Sequence, residues 1–172
     1  MDQQSFVPAH VARIAALDGF LQGISYLNQD PRSDFAEAFV VDAPDDRQVP
    51  EFIQSQFSHR PGVTIRPDDR FHGGMGQLER DIGSLLLVNP FVDDEALAGD
   101  LRSYLSFKIM DRLDDIINDW GRMDDASDFV NYTEPKRFIG TYDGIRGEMI
   151  FYLLRSADVC FALYFFSSAE SS

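Results

Sequence analysis

DDEALAGDLRSYLSFKIMDRLDDIINDW, Asp93–Trp120, is the longest helical pattern in the chain, and the other elements are read as built against it. At about 100° per residue, Leu101, Leu105, Ile109, Leu113, Ile116 and Trp120 share one stripe, the signature of a helix with a core-facing side. Asp93 to Glu95 supply an N-cap and an acidic first turn, where unpaired amides and the helix dipole favour negative charge. Gly121 follows Trp120 and suits a left-handed C-terminal closure; the polar run behind it stops the helix.

The opposite side of this helix carries Asp100, Asp111, Asp114 and Asp115, with Tyr104 and Phe107 among them. Two expectations compete for it. In one, the helix is central, and a second layer covers Tyr104 and Phe107 while the aspartates reach solvent at the margin. In the other, the aromatics are anchors for a basic partner and the carboxylates steer it in. Asp124, Asp125 and Asp128 extend the acidic surface beyond the helix.

Outward from this stretch, Pro8 to Asn28 reads as a helix with Val11, Ile14, Leu17, Leu21, Ile24 and Leu27 on one face. Gly19 and Gly23 weaken it by roughly 1 kcal/mol each relative to alanine, so one of them is expected at a close helix contact. Ala38–Asp42 and Gly62–Arg66 read as strands, the second with Val63 and Ile65 on one face, and Pro50–Ser58 as a short helix. Arg70–Gly76, RFHGGMG, reads as a glycine-rich loop. Gln77–Val88 has helical spacing but a strand-like LLLV ending, and helix is favoured.

From Lys136 the pattern changes to three β-rich runs, KRFIGTYDG, GEMIFYLLR and VCFALYFFS, whose short connections fit an antiparallel meander. The last two are apolar on both faces, as strands covered on both sides should be. The expected fold is a single α+β domain over residues 1–172, a C-terminal meander packed against the long central helix and the N-terminal one.

Composition supports a globular chain. Of 172 residues 44% are hydrophobic, with 15 Phe and 6 Tyr, enough for an aromatic core without disulfides or metals. Twenty-nine acidic against 15 basic side chains leave a net charge of −14, which disfavours direct contact with nucleic-acid phosphates or anionic lipid. The lone Cys160 lies in the apolar run VCFALYFF and reads as a core thiol. With no leader and no apolar run near the ~18 residues that span a bilayer, the expectation is a cytoplasmic protein without membrane contact.

Motifs for chemistry are weak. His72-Gly73-Gly74 has the look of an oxyanion loop, but no Gly-x-Ser-x-Gly nucleophile accompanies it. Asp68, Gly73 and Glu79 fall at positions one, six and twelve of a calcium-loop spacing, yet Arg70 and His72 stand where oxygen ligands are required. No metal site, cofactor or catalytic residue is assigned. The expected function is stoichiometric binding and inhibition of a basic protein, in the manner of an immunity protein neutralising a toxin, or of an acidic mimic blocking a nucleic-acid-acting enzyme. Asp100, Tyr104, Phe107, Asp111, Asp114, Asp115, Asp124, Asp125 and Asp128 would form its binding surface. A non-enzymatic role follows from that reading. The alternatives are a ligand-binding module or enzyme around Arg70, His72 and Glu79, which predicts a deep pocket there, and a structural subunit, which predicts a broad apolar patch.

Overall fold

A computed structural model describes residues 8–32, 34–72, 74–88, 90–118, 133–144, 147–156 and 159–168. These form an α+β fold: helices α1 (Ala9–Ser25), α2 (Val49–Gln56), α3 (Gly74–Leu86) and α4 (Glu95–Asn118), and strands β1 (Asp34–Val40), β2 (Thr64–Pro67), β3 (Thr133–Thr141), β4 (Gly147–Arg155) and β5 (Cys160–Ser168). The strands make one antiparallel sheet in the order β1-β5-β4-β3-β2.

The meander β3-β4-β5 is the centre of the sheet, and alternation divides it into two cores. Ile150, Tyr152 and Leu154 of β4 join Phe161, Leu163 and Phe165 of β5 on the face where Ile14, Leu17 and Leu21 of α1, Leu78 and Ile82 of α3, and Ile109 and Leu113 of α4 are buried. Met149, Phe151 and Leu153 join Ala162, Tyr164 and Phe166 on the other face, under Val49 and Ile53 of α2 and Phe57 just beyond it. Phe151 and Tyr164 stack at 4.6 Å there, with Phe57 edge-on to both. Gly140 lets this sheet close up: a Cβ at that position would lie 2.7 Å from Ile65 Cδ1.

The two sheet edges are treated differently. On β1 the outward amides of Ala36 and Ala38 donate to Ser25 Oγ (2.9 Å) and Asp18 Oδ1 (2.8 Å) of α1, so a helix covers the edge with side-chain acceptors. On β2 the edge is four residues long and ends in Pro67, which has no amide to offer.

Several sequence expectations are corrected. α1 stops at Ser25, where the chain tightens through Leu27 N–H to Ile24 O and Asn28 N–H to Ser25 O, so Leu27 leaves the buried face and is exposed. Neither Gly19 nor Gly23 marks a close contact, since a Cβ at either would have nothing within 4 Å. β1 begins at Asp34 rather than Ala38, because pairing with β5 from Asp34↔Ser167 to Val40↔Phe161 outweighs the poor strand propensity of Asp34 and Glu37. Helix α3 takes in Gly74 and Gly76 from the expected loop, with Gly74 at φ 57°, a conformation glycine adopts without strain. Residues 77–86 are helical, as favoured. Trp120 and Gly121 lie outside the described residues.

Candidate functional site

α4 starts where its acidic first residues place it: Asp94 Oδ1 accepts from Ala96 N–H (3.0 Å) and Leu97 N–H (3.2 Å), capping two otherwise unpaired amides. Leu105, Ile109, Leu113 and Ile116 are buried against α1, α3 and the sheet. Two of the helix's cations turn toward neighbouring elements. Arg102 donates from Nε and Nη2 to Leu87 O, at 3.0 and 2.8 Å, and the Arg112 guanidinium lies 4.4 Å from the centre of the Phe20 ring. From α1, Arg13 reaches across to Asp115 O at 3.0 Å.

With its inner side thus occupied, the outer side of α4 faces solvent. Tyr104 and Phe107 are 58% and 59% exposed and Leu97 is 56% exposed, so among the described residues no second layer covers the two aromatics. Lys108 Nζ lies 5.7 Å from the centres of both rings, holding a cation over them. Asp100, Asp111, Asp114 and Asp115 are exposed around them. The six helical residues expected at a binding surface therefore lie on one helix side; Asp124, Asp125 and Asp128 lie outside the described residues.

A neighbouring patch was not anticipated. Beyond α1 and α3 the chain at 26–29 meets that at 86–88 and 90–91 through Phe91 N–H to Leu27 O (3.1 Å), Gln29 Nε2 to Pro90 O (3.2 Å) and the buried Asn28, whose Nδ2 donates to Leu86 O at 3.4 Å. This clamp presents Tyr26, Leu27, Val88 and Phe91 to solvent, and the Arg102 contact with Leu87 ties it to α4. Of the eight large hydrophobic side chains exposed among the described residues, all but Val40 belong to the clamp or to α4. The available signal was the presence of Tyr26, Leu27 and Phe91 in turn segments that polar residues usually fill.

The loop region at 70–79 is arranged differently. A groove of 930 Å³ runs past Arg47, Pro67, Asp68, His72, Lys136 and Arg137, but of the expected ligand contacts only His72 lines it. Arg70 is exposed and donates from Nε to Asp68 Oδ1 (3.1 Å), and Glu79 is exposed on α3. Two of the groove's cations, Lys136 and Arg137, are paired with carboxylates of its wall and the layer behind it. Lys136 and Arg155 hold Asp46, and Arg137 bridges Asp68 (2.6 Å) and Asp81 (3.2 Å), with Tyr152 OH donating to the same Asp81 oxygen at 2.8 Å. Burial pushes the Asp68 carboxyl up, but the Arg70 and Arg137 guanidiniums outweigh it and hold the group below the usual carboxylate range. Burial and the Asp81 carboxylate raise the Tyr152 phenol well above its ordinary value, so it remains a donor. The arrangement ties α3, β3, β4 and the 68–70 turn together. Burial likewise raises the pKa of the Cys160 thiol, consistent with a core residue.

Comparison of the chain with family models, with curated proteins and with solved structures gives no match in any of the three. What defines its class is its own architecture: an α+β fold with a five-stranded antiparallel sheet and one helix side left acidic, aromatic and uncovered among the described residues. Among those residues no helix is long and apolar enough to cross a membrane.

Proposed function

We propose that the protein acts by stoichiometric binding to a basic protein partner, in the manner of a toxin-neutralising or enzyme-blocking inhibitor, and docks it on the outer side of α4. The observation that carries this reading is the concentration of exposed large hydrophobics on α4 and the adjoining clamp, set among Asp100, Asp111, Asp114 and Asp115. Aromatic side chains ringed by charge are the anchors from which interfaces draw most of their energy, and a net charge of −14 speeds encounter with a cationic surface. The clamp adds an apolar margin at the N-terminal end of the helix.

The groove supports a second reading, a small-ligand module. It is the weaker one, because Lys136 and Arg137 are already neutralised by Asp46, Asp68 and Asp81 and would have to give up those bonds to hold an anionic ligand.

Photo-crosslinking from position 107, followed by reconstitution of the captured protein from purified components, tests the first reading. The expected result is a 1:1 complex with a basic protein that weakens as salt rises and weakens about thirtyfold or more in Tyr104→Ala/Phe107→Ala, the loss expected when anchor residues are truncated. A complex whose affinity is unchanged by those substitutions overturns it.

A further inference from the structure

Where the end of α1 passes β1, an open cleft of 440 Å³ is lined by Gln22 and Tyr26 of the helix end, Pro31 and Arg32 of the turn that follows, and Phe35 and Glu37 of the strand. Phe35 is half-buried, edge-on to Tyr164 at 5.6 Å and 5.4 Å from Phe166, while Tyr26 is exposed. Two opposite charges line this cleft without an ion pair or a side-chain hydrogen bond to each other or to any other described residue. One is the half-buried Glu37 carboxylate. The other is the exposed Arg32 guanidinium, whose residue is fixed through its backbone: Asp30 Oδ1 accepts Arg32 N–H at 3.1 Å, and Asp30 O accepts Asp34 N–H at 3.0 Å where β1 begins.

Glu37 is left unbonded in spite of its surroundings. Its cross-strand neighbour on the same sheet face is Tyr164, yet the Tyr164 hydroxyl is buried with no partner of its own. Two groups able to satisfy each other stand side by side and do not bond; the carboxylate lines the cleft instead. Asp18, the nearest carboxylate to act on it, is already occupied by Ala38 N–H and Gln22 Nε2. Burial, and then Asp18, raise the Glu37 pKa against the opposing Arg60, so its charge costs the fold stability. A charge that does not serve the fold and lies in a cleft beside aromatic side chains has the character of a binding group.

We propose that this cleft binds a small zwitterion bearing an aromatic group, an aromatic amino acid or a short peptide of one, with its ammonium on Glu37, its carboxylate on Arg32 and its ring against Tyr26 and Phe35. The site is separate from the docking side on α4. Charge selects the ligand class. An anion would meet Arg32 but lie beside Glu37 and Asp18, and an amine without a carboxylate would leave Arg32 unmatched while Arg60 opposed it. A neutral apolar ligand would desolvate Glu37 with no compensating bond. A zwitterion answers both charges.

Calorimetric titration of the full chain with phenylalanine, and with two analogues that each lack one of its charges, phenethylamine and phenylpropionate, tests the assignment. The expected result is saturable 1:1 binding of phenylalanine, with each analogue weaker by about tenfold or more, the loss of one charge-assisted hydrogen bond. In Glu37→Gln, phenylalanine should weaken by a similar factor and lose its advantage over phenylpropionate; in Arg32→Gln it should lose its advantage over phenethylamine. Melting temperatures without ligand, expected at or slightly above wild type for Glu37→Gln, separate these losses from misfolding. Phenylalanyl-glycine, whose two charges stand farther apart, is the tighter ligand if the cleft serves peptides and the weaker one if it serves free amino acids. No saturable binding of either ligand at about 10 mM, equal affinity for phenylalanine and both analogues, or variants that leave the ranking unchanged would each overturn the proposal.

Discussion

Phe151 and Phe107 are the same side chain put to opposite uses. Phe151, in the centre strand β4, is fully buried, stacks on Tyr164 and meets Phe57 edge-on. Phe107 sits on the longest helix with more than half its surface in water. The first is committed to folding, because a two-sided sheet between helical layers closes over every inward position of β4 and β5. The second was left over when α4 used its inner side to meet α1 and α3. Apolar area in excess of what the core can take is the resource from which an interface is made, and here it gathers at one place instead of scattering.

The contrast is broken most directly by truncating each ring. Phe151→Ala is expected to cost about 3–5 kcal/mol, the range for a buried aromatic that leaves a cavity. Phe107→Ala should move stability by no more than about 0.5 kcal/mol, as surface changes usually do. Denaturant titration of both variants checks this; a Phe107→Ala cost comparable to that of Phe151→Ala would show that α4's outer side is structural.

Charge sharpens the same comparison. Asp68 is covered chiefly by Arg70 and Arg137 at the groove wall, whereas Asp100 and Asp111 stand in solvent. Asp68→Ala is expected to cost about 1–3 kcal/mol, because Arg137 then loses its closest acceptor. Since the folded-state pKa of Asp68 lies below its unfolded value, its contribution is fully present above the ordinary aspartate pKa and disappears as pH falls through the lower, folded value. Melting curves from pH 7 down to 2 should therefore converge for wild type and Asp68→Ala only at the acid end. Asp46, lowered by Lys136 and Arg155 against the effect of its burial, contributes in the same direction.

The smallest expected effect has the opposite sign. Burial, and then the nearby Asp18 carboxylate, raise the Glu37 pKa, with Arg60 opposing. A carboxyl raised on folding costs stability as pH rises from its unfolded to its folded pKa, and that cost persists above it. Glu37→Gln should accordingly raise the melting temperature slightly at pH 7 and leave it unchanged near pH 3. A rise of the same size at both pH values would remove the electrostatic explanation.

Local pattern carried most of the architecture. The 3.6-residue stripe of α4 and the two-sided apolar runs of β4 and β5 are properties of residues near one another in sequence, so the helix and the meander were legible, and the cap at Asp94 lay within the expected acidic start. Which way α4 turns was legible too, because the stripe names the inner side and leaves Tyr104, Phe107 and the aspartates on the other. Whether that other side would be covered was not, since covering depends on where α1 and α3 pack.

Only tertiary structure decided the rest. It moved the start of β1 to Asp34, since strand limits follow the partner strand; it closed that edge with Ser25 and Asp18 from a helix; and it joined Leu27 to Phe91 in a clamp between segments some 60 residues apart. It also brought Arg137, Asp81 and Tyr152 from three elements and Asp68 from a turn into one network. The sequence by itself determined the elements and the sidedness of α4, because both arise from periodicity within one segment. Edges, clamp and charge network were decided by the fold, because each depends on a distance between segments that no single stretch encodes.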